Sequence, residues 1–270
     1  MHQLWRAELN AMRLEIKHRH FLTVQTIYLH KRNLVVILEP VASEGDLAKY
    51  LSLMRDRGCK LSTKETRMLF RSLGCLASGL DFLHQQGIRY GKITPQNILL
   101  HEGRAIYTHL SKSRNSNDVD AGAGGEQLDF HSYKGRYTTP EAVQQLPQNL
   151  KSDIWSLGCV YVEILSVLYP NYIPHHDLKR DFADNMHIIN HLLQAPTIYD
   201  PMANAIAEIC RSMLGFSQAL RPSADRIMEH FMDIPKPRIA VPNYRVQQFA
   251  CKQCIEERTK TARMVVFSPR

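Results

Sequence analysis

Two stretches of the chain carry side chains whose type and spacing could do chemistry. The first is Gly87-Ile88-Arg89-Tyr90-Gly91-Lys92-Ile93-Thr94-Pro95-Gln96-Asn97-Ile98-Leu99-Leu100, followed by Ala105-Ile106-Tyr107-Thr108 and then His109. A lysine such as Lys92 is an ammonium at neutral pH, so it offers a proton where a general base must accept one. Asn97 has an amide that can ligate a cation through oxygen or brace a loop by hydrogen bonds, and His109 offers an imidazole. Taken alone, Pro95-Gln96-Asn97-Ile98-Leu99 is equally the pattern of an ordinary turn leading into a strand. The second stretch is Cys251-Lys252-Gln253-Cys254, which has the spacing of zinc ligands or of a redox pair but has no second such pair to complete a site.

The elements that must position these residues are readable from periodicity and punctuation. Trp5, Leu9, Met12 and Ile16 form the stripe of an amphipathic helix. Leu22 to Leu29 and Leu34 to Leu38 read as a hairpin across His30-Lys31-Arg32-Asn33, closed by Glu39-Pro40-Val41, and Glu44-Gly45-Asp46-Leu47 opens a short helix. Ser62-Thr63-Lys64-Glu65 is a capping box, after which Leu69, Leu73, Leu76, Leu80 and Leu83 give a buried stripe that Gly87 ends. Residues 111 to 135 lack periodicity and are rich in Ser, Asn, Asp and Gly, the composition of a mobile functional loop or a disordered insert. Ser152 to Leu168 predicts a helix apolar nearly all round, hence central. Helical patterns recur over 177 to 194 and 202 to 214 and after Arg221-Pro222-Ser223, and beyond Pro235 the pattern weakens into a tail.

Composition bounds the function. The chain has 270 residues, 44% hydrophobic and 22% charged, enough for one sizeable globular domain. Apolar runs such as Leu34 to Leu38 are short, and Glu163 interrupts the apolar stretch from Ile154 to Leu168, so no membrane span is expected. The charged start Met1 to Glu8 does not read as a signal peptide. The 6 cysteines are scattered, three of them inside apolar helical patterns where a thiol acts as a small hydrophobe. A reducing intracellular compartment, cytoplasmic or nuclear, is the expectation. The net charge of +8 is spread without a basic tract, which argues against dedicated nucleic-acid binding.

Taken in order, the segments from about 5 to 232 resemble a eukaryotic protein kinase. Landmarks fall in sequence: the loop frame at 90 to 100, Thr139-Pro140-Glu141 at the place of the family's A-P-E, Ser152-Asp153-Ile154-Trp155-Ser156-Leu157-Gly158 at the central helix, and Arg221-Pro222-Ser223 near the end. The resemblance implies an α+β kinase-like fold. It has a partial small lobe of one helix and two antiparallel strands (1–40), a mostly helical large lobe (41–234) containing the activation-segment-like loop 111–135, and a C-terminal tail (235–270). It also implies a buried ion pair between Glu141 and Arg221, and hydrogen bonds from the loop backbone to Asp153.

The same resemblance shows where the chemistry departs. In H-R-D-L-x-x-x-N the Asp accepts the substrate proton and the Asn holds a magnesium ion; here Tyr90, Gly91 and Lys92 replace H-R-D, Thr94 replaces the lysine of serine/threonine kinases, and Asn97 remains. Where the family has D-F-G this chain has His109-Leu110-Ser111, and a neutral imidazole is a poor magnesium ligand, so magnesium is not expected. The Gly-rich loop and V-A-I-K strand lie upstream of the first helix in the family, and this sequence starts at that helix; Glu8 matches the helix glutamate with a one-residue offset. Met12, Tyr90 and Leu110 fall where the family stacks apolar side chains.

The expected function is therefore a pseudokinase, a kinase-fold protein that binds or scaffolds a protein partner without phosphoryl transfer. Two further readings stand beside it. Glu39 and Val41 fall at the family's adenine hinge and Asp46 at its ribose contact, which would leave ATP binding and an unusual serine/threonine kinase activity; a linker with a helix cap at Asp46 is the plainer alternative. Arg263-Met264-Val265-Val266-Phe267 resembles the basic-x-Val-x-Phe motif that adds a strand to protein phosphatase 1, against a tail strand packing its own domain. Phosphorylation of Ser111, Ser113 or Ser116 could order the loop, though Gly91 leaves no arginine at the docking position. An apolar edge at Leu34 to Leu38 would be covered by a partner, or by the rest of a longer product.

Overall fold

Ser62 begins the central scaffold by reciprocal capping: its hydroxyl accepts from Glu65 N–H, and the Glu65 carboxylate accepts from Ser62 N–H at 2.7 Å. The computed structural model describes residues 18–31, 33–108, 114–115, 135–178, 180–194, 200–234 and 249–258. Strands β1 (Thr23–His30) and β2 (Asn33–Glu39) form an antiparallel hairpin; β3 (Gly45–Asp46) leads into α1 (Leu47–Asp56), and α2 (Thr63–Gln85) follows. Next come β4 (Ile88–Arg89), a 3-10 turn at Pro95–Asn97, and the hairpin β5 (Ile98–His101) and β6 (Arg104–Tyr107). Strand β7 (Arg114–Asn115) pairs with β4, while β3, β5 and β6 make a three-stranded sheet. The remaining helices are α3 (Pro140–Val143), α4 (Leu150–Leu168), α5 (Met186–Gln194), α6 (Pro201–Met213) and α7 (Ala224–Asp233). The architecture is α+β and mainly helical, with small sheets, of which β5 and β6 contribute Ile98, Leu100, Ala105 and Tyr107 to the core. The stripe Trp5 to Ile16 lies outside the described residues.

Helices α2 and α4 form the core. Leu69, Leu73, Leu76, Leu80 and Leu83 on α2 and Trp155, Val160 and Tyr161 on α4 are fully buried in one continuous core, each leucine contributing roughly 1.5–3 kcal/mol by leaving water. The Tyr161 hydroxyl donates to Leu73 O and fixes the register of the two helices. Glu163 is buried in the middle of α4, and its carboxylate is met by Arg55 from α1, by Arg136 at 2.6 Å and by the Tyr137 hydroxyl at 3.2 Å. A charge there survives burial because two guanidinium groups reach it.

On the hairpin, Tyr28, Leu29, Ile37 and Leu38 are exposed. The helical pattern over 177 to 194 resolves differently from its reading in the sequence: a 3-10 turn occupies His175–Leu178 and the helix runs only over α5. Phe182 N–H donates to Arg136 O at 3.0 Å and the Asn185 side-chain amide donates to Asp177 O at 2.7 Å, so a backbone donor that a helix would use locally is spent across the fold and the carbonyl of Asp177 is taken by a side chain.

Residues 249–258 are also a departure from the expected tail. Phe249, Ala250 and Cys254 are buried in the core, and 252–258 are helical. Phe249 stacks on Phe231 of α7 and meets Phe70 of α2 edge-on. Arg258 pairs with Asp225 and Glu229 of α7. Gly74 makes this seat possible: its N–H donates to Phe249 O at 2.8 Å, and a Cβ at position 74 would lie 2.5 Å from that oxygen. Gly74→Ala gains about 1 kcal/mol of helix propensity, yet the clash is with backbone that no rotamer change relieves. A net loss of about 1–2 kcal/mol is expected, read as a lower denaturant midpoint at constant slope; a stabilised variant would mean that the segment does not sit on α2.

Candidate active site

The loop from Tyr90 to Asn97 is held from three sides. Asp153, in the first turn of α4 and 2% exposed, accepts from Tyr90 N–H and Gly91 N–H at 2.8 Å each and pairs with His84 of α2 at 3.0 Å. The buried Tyr90 hydroxyl donates to Thr108 O, and its ring lies 5.1 Å from that of Tyr107. Burial pushes the Tyr90 phenol above its usual range, more than the Thr108 hydrogen bond lowers it, so it remains a donor at neutral pH. At the far end Asn97 is buried; its side-chain amide nitrogen donates to Lys92 O at 2.9 Å, and its backbone carbonyl accepts from Thr108 N–H at 3.0 Å and Thr108 Oγ1 at 3.1 Å. Asn97 is thus a brace that closes the loop on Lys92.

A magnesium–nucleotide needs clustered anionic oxygens. Among the described residues of this loop the donor set is the single neutral side-chain oxygen of Asn97, whose amide nitrogen is tied to Lys92 O, and no carboxylate of the loop stands beside it. The described residues of the loop do not by themselves fit the ion. His109, the other candidate ligand, lies outside the described residues, as do Glu8, Met12, Leu110, the serines at 111, 113 and 116, and Arg263, Val265 and Phe267 of the tail motif.

The possible nucleotide residues are placed apart in character. Glu39 ends β2, is exposed and accepts from the Gln25 amide at 2.5 Å; Val41 is 82% exposed. Asp46 caps α1, accepting from Lys49 N–H at 2.9 Å with its other oxygen 3.3 Å from Lys49 Nζ. Both of its carboxylate oxygens are engaged within the chain.

Glu141 and Arg221 meet in a bidentate pair, with Nη1 to Oε1 and Nη2 to Oε2 at 2.8 Å each. Arg221 also donates to Gly215 O, Lys151 O and Phe216 O, and its guanidinium lies 5.0 Å over the Trp155 ring. Ser152 Oγ donates to Glu141 Oε1 at 2.7 Å. This knot ties α3 and the start of α4 to the turn before α7, fixing the floor under the loop. His84 and Glu163, which brace the same region, carry no signal in the sequence beyond a polar residue inside a helical apolar pattern.

The sequence matches the family model described as "Protein kinase domain" over residues 1–232. It is 30% identical over 179 residues to CBL-interacting protein kinase 26 of Oryza sativa subsp. japonica, covering 63% of this chain and 31% of that protein. It is 26% identical over 221 residues to inactive serine/threonine-protein kinase PLK5 of Mus musculus, covering 81% and 33%. With death-associated protein kinase 2 of Homo sapiens it shares 26% identity over 161 residues, covering 58% and 40%. The matches thus span 31 to 40% of the length of these curated relatives. With a family match over most of its length and a braced catalytic-loop frame, the chain belongs to the protein kinase domain family.

Proposed function

We propose that this protein is a pseudokinase that acts by binding a protein partner through its kinase fold and does not transfer phosphate. The observation that carries the reading is Lys92. The loop around it is braced by Asp153 at one end and by Asn97 and Thr108 at the other, yet the position that the family gives to the proton acceptor holds a lysine. Losing a general base alone typically costs about 10²- to 10⁴-fold in rate, and the poor cation site compounds that loss. Relatedness does not decide the matter, since the relatives include two named as kinases and one named inactive. For the residual ATP-binding reading, the plainer account of Asp46 is the helix cap it makes to Lys49 N–H.

The test is a phosphotransfer assay on the full chain with ATP and magnesium or manganese, against Lys92→Ala. Equal, background-level turnover is expected for both, together with an unchanged melting temperature at millimolar ATP. Turnover of the unaltered chain clearly above that of Lys92→Ala would overturn the proposal.

A further inference from the structure

Cys251-Lys252-Gln253-Cys254 lacks a second ligand pair in the sequence, and the fold supplies one from elsewhere. His20, just before β1, and Cys75, in the middle of α2, converge on the two tail cysteines, so that His Nε2 and the three sulfurs all lie within 4.8 Å of one another. His20 Nε2 is 3.1 Å from Cys254 Sγ and 3.7 Å from Cys251 Sγ; the sulfurs of Cys251 and Cys254 are 3.3 Å apart. We infer that these four residues form a structural zinc site of the Cys3His type, which staples residues 249–258 to the kinase lobe.

Three features beyond proximity favour a metal. His20 Nδ1 lies 2.7 Å from Ala105 O, an acceptor, so Nδ1 carries the proton and Nε2 keeps its lone pair towards the sulfurs. Cys251 N–H points at Cys75 Sγ at 3.2 Å, the contact by which a backbone amide stabilises a metal-bound thiolate. The cluster is also reachable, because Cys251 is half-buried and lines an open cleft with Arg19, Lys252, Gln253 and Glu256. A tetrahedral ion with zinc–sulfur bonds near 2.3 Å needs sulfurs about 3.8 Å apart, so the pair at 251 and 254 has to open by only a few tenths of an ångström.

Zinc binding would displace one proton from each of three thiols and leave a site of net charge −1. It would join segments far apart in the chain, since Cys75 and Cys251 are separated by 176 residues and His20 and Cys254 by 234. Cys251 and Cys254 lie outside the region matched by the family model, residues 1–232. The site is therefore a property of this chain's own C-terminal segment. Cys159 and Cys210, buried elsewhere in the core, serve as internal controls.

The test uses the full chain, kept reduced and offered zinc or cobalt alone. About one zinc per chain is expected, and the cobalt form should show tetrahedral d–d bands with thiolate-to-cobalt charge transfer. Cys75→Ala, Cys254→Ala and His20→Ala should each retain less than about a tenth of the metal, while Cys75→His, which keeps a ligand, and Cys159→Ala and Cys210→Ala retain it. No metal uptake by the unaltered chain would overturn the inference. So would undiminished binding in Cys75→Ala and His20→Ala, or a Cys251–Cys254 disulfide in protein whose thiols are trapped at lysis.

Discussion

Glu141→Ala is expected to cost about 3–5 kcal/mol of folding stability, because it leaves the Arg221 guanidinium, whose side chain is 0% exposed, with its charge unpaired. A domain is stable by only about 5–15 kcal/mol, so the variant falls near the threshold of folding. At about 2–4 °C per kcal/mol, the melting temperature drops far enough to be unmistakable. Arg221→Ala should cost at least as much, since it orphans the carbonyls of Gly215, Lys151 and Phe216 and opens a cavity under Trp155. Glu141→Gln keeps the shape and loses the charge, and about 1.5–3 kcal/mol is expected for its weakened hydrogen bonds. Denaturant midpoints at constant slope measure all three; a loss below about 1 kcal/mol for Glu141→Ala would show that the pair does not carry the knot.

The same pair sets a pH dependence. Burial alone would raise the Glu141 pKa, but the hydrogen bonds from Arg221 and Ser152 outweigh it and hold the carboxyl below its ordinary value. With the folded pKa depressed, the contribution is fully present above the unfolded carboxylate pKa of about 4.3 and is lost as pH falls through the folded value. The stability gap between the unaltered chain and Glu141→Gln should therefore be flat from neutral pH down to mild acid and narrow only below about pH 4.

What could be read from the sequence, and what could not, follows from how local each signal is. The start of α2 is a four-residue signal, Ser62 to Glu65, and its stripe repeats within one helix, so the structure places both where the pattern does. The position of Lys92 is equally legible, because Pro95, Asn97 and Ile98 to Leu100 set the register of the loop around it. Glu163 read only as a break in an apolar run, since Arg55, which neutralises it, lies 108 residues away. Cys75 read as a small hydrophobe on a helical stripe: periodicity reports that a side chain faces inward and is blind to what it meets there. The packed segment 249–258 is too short to carry a period and is held by long-range contacts from Phe249, Cys254 and Arg258. The pattern over 177 to 194 failed for the related reason that Phe182 N–H bonds to Arg136 O, outside the helix the pattern implied, while the Asn185 side chain ties back to Asp177 O across the turn.

Asp153→Ala is the substitution that separates the loop frame from the rest of the lobe. Its carboxylate is the common acceptor for Tyr90 N–H, Gly91 N–H and His84, and removing it leaves two backbone donors without these bonds. An orphaned buried donor costs about 1–3 kcal/mol, and of the three only Tyr90 N–H is fully buried while the Gly91 and His84 contacts are part-buried, so about 2–4 kcal/mol is expected for the three together. Asp153→Asn should lose somewhat less, because one amide oxygen can still accept while its NH2 faces a donor. His84→Ala, which leaves Asp153 with both backbone bonds, should cost only about 1 kcal/mol. Global stability alone would not distinguish a loop brace from a generic core residue. Amide hydrogen exchange does: Tyr90 and Gly91 should lose protection in Asp153→Ala by more than the α2 core amides do, since a local opening precedes global unfolding. If exchange at 90 and 91 rose only in step with the core, the shape of the loop would be set by the Tyr90, Asn97 and Thr108 bonds alone. The kinase frame would then be retained for those packing contacts, not for its tie to α4.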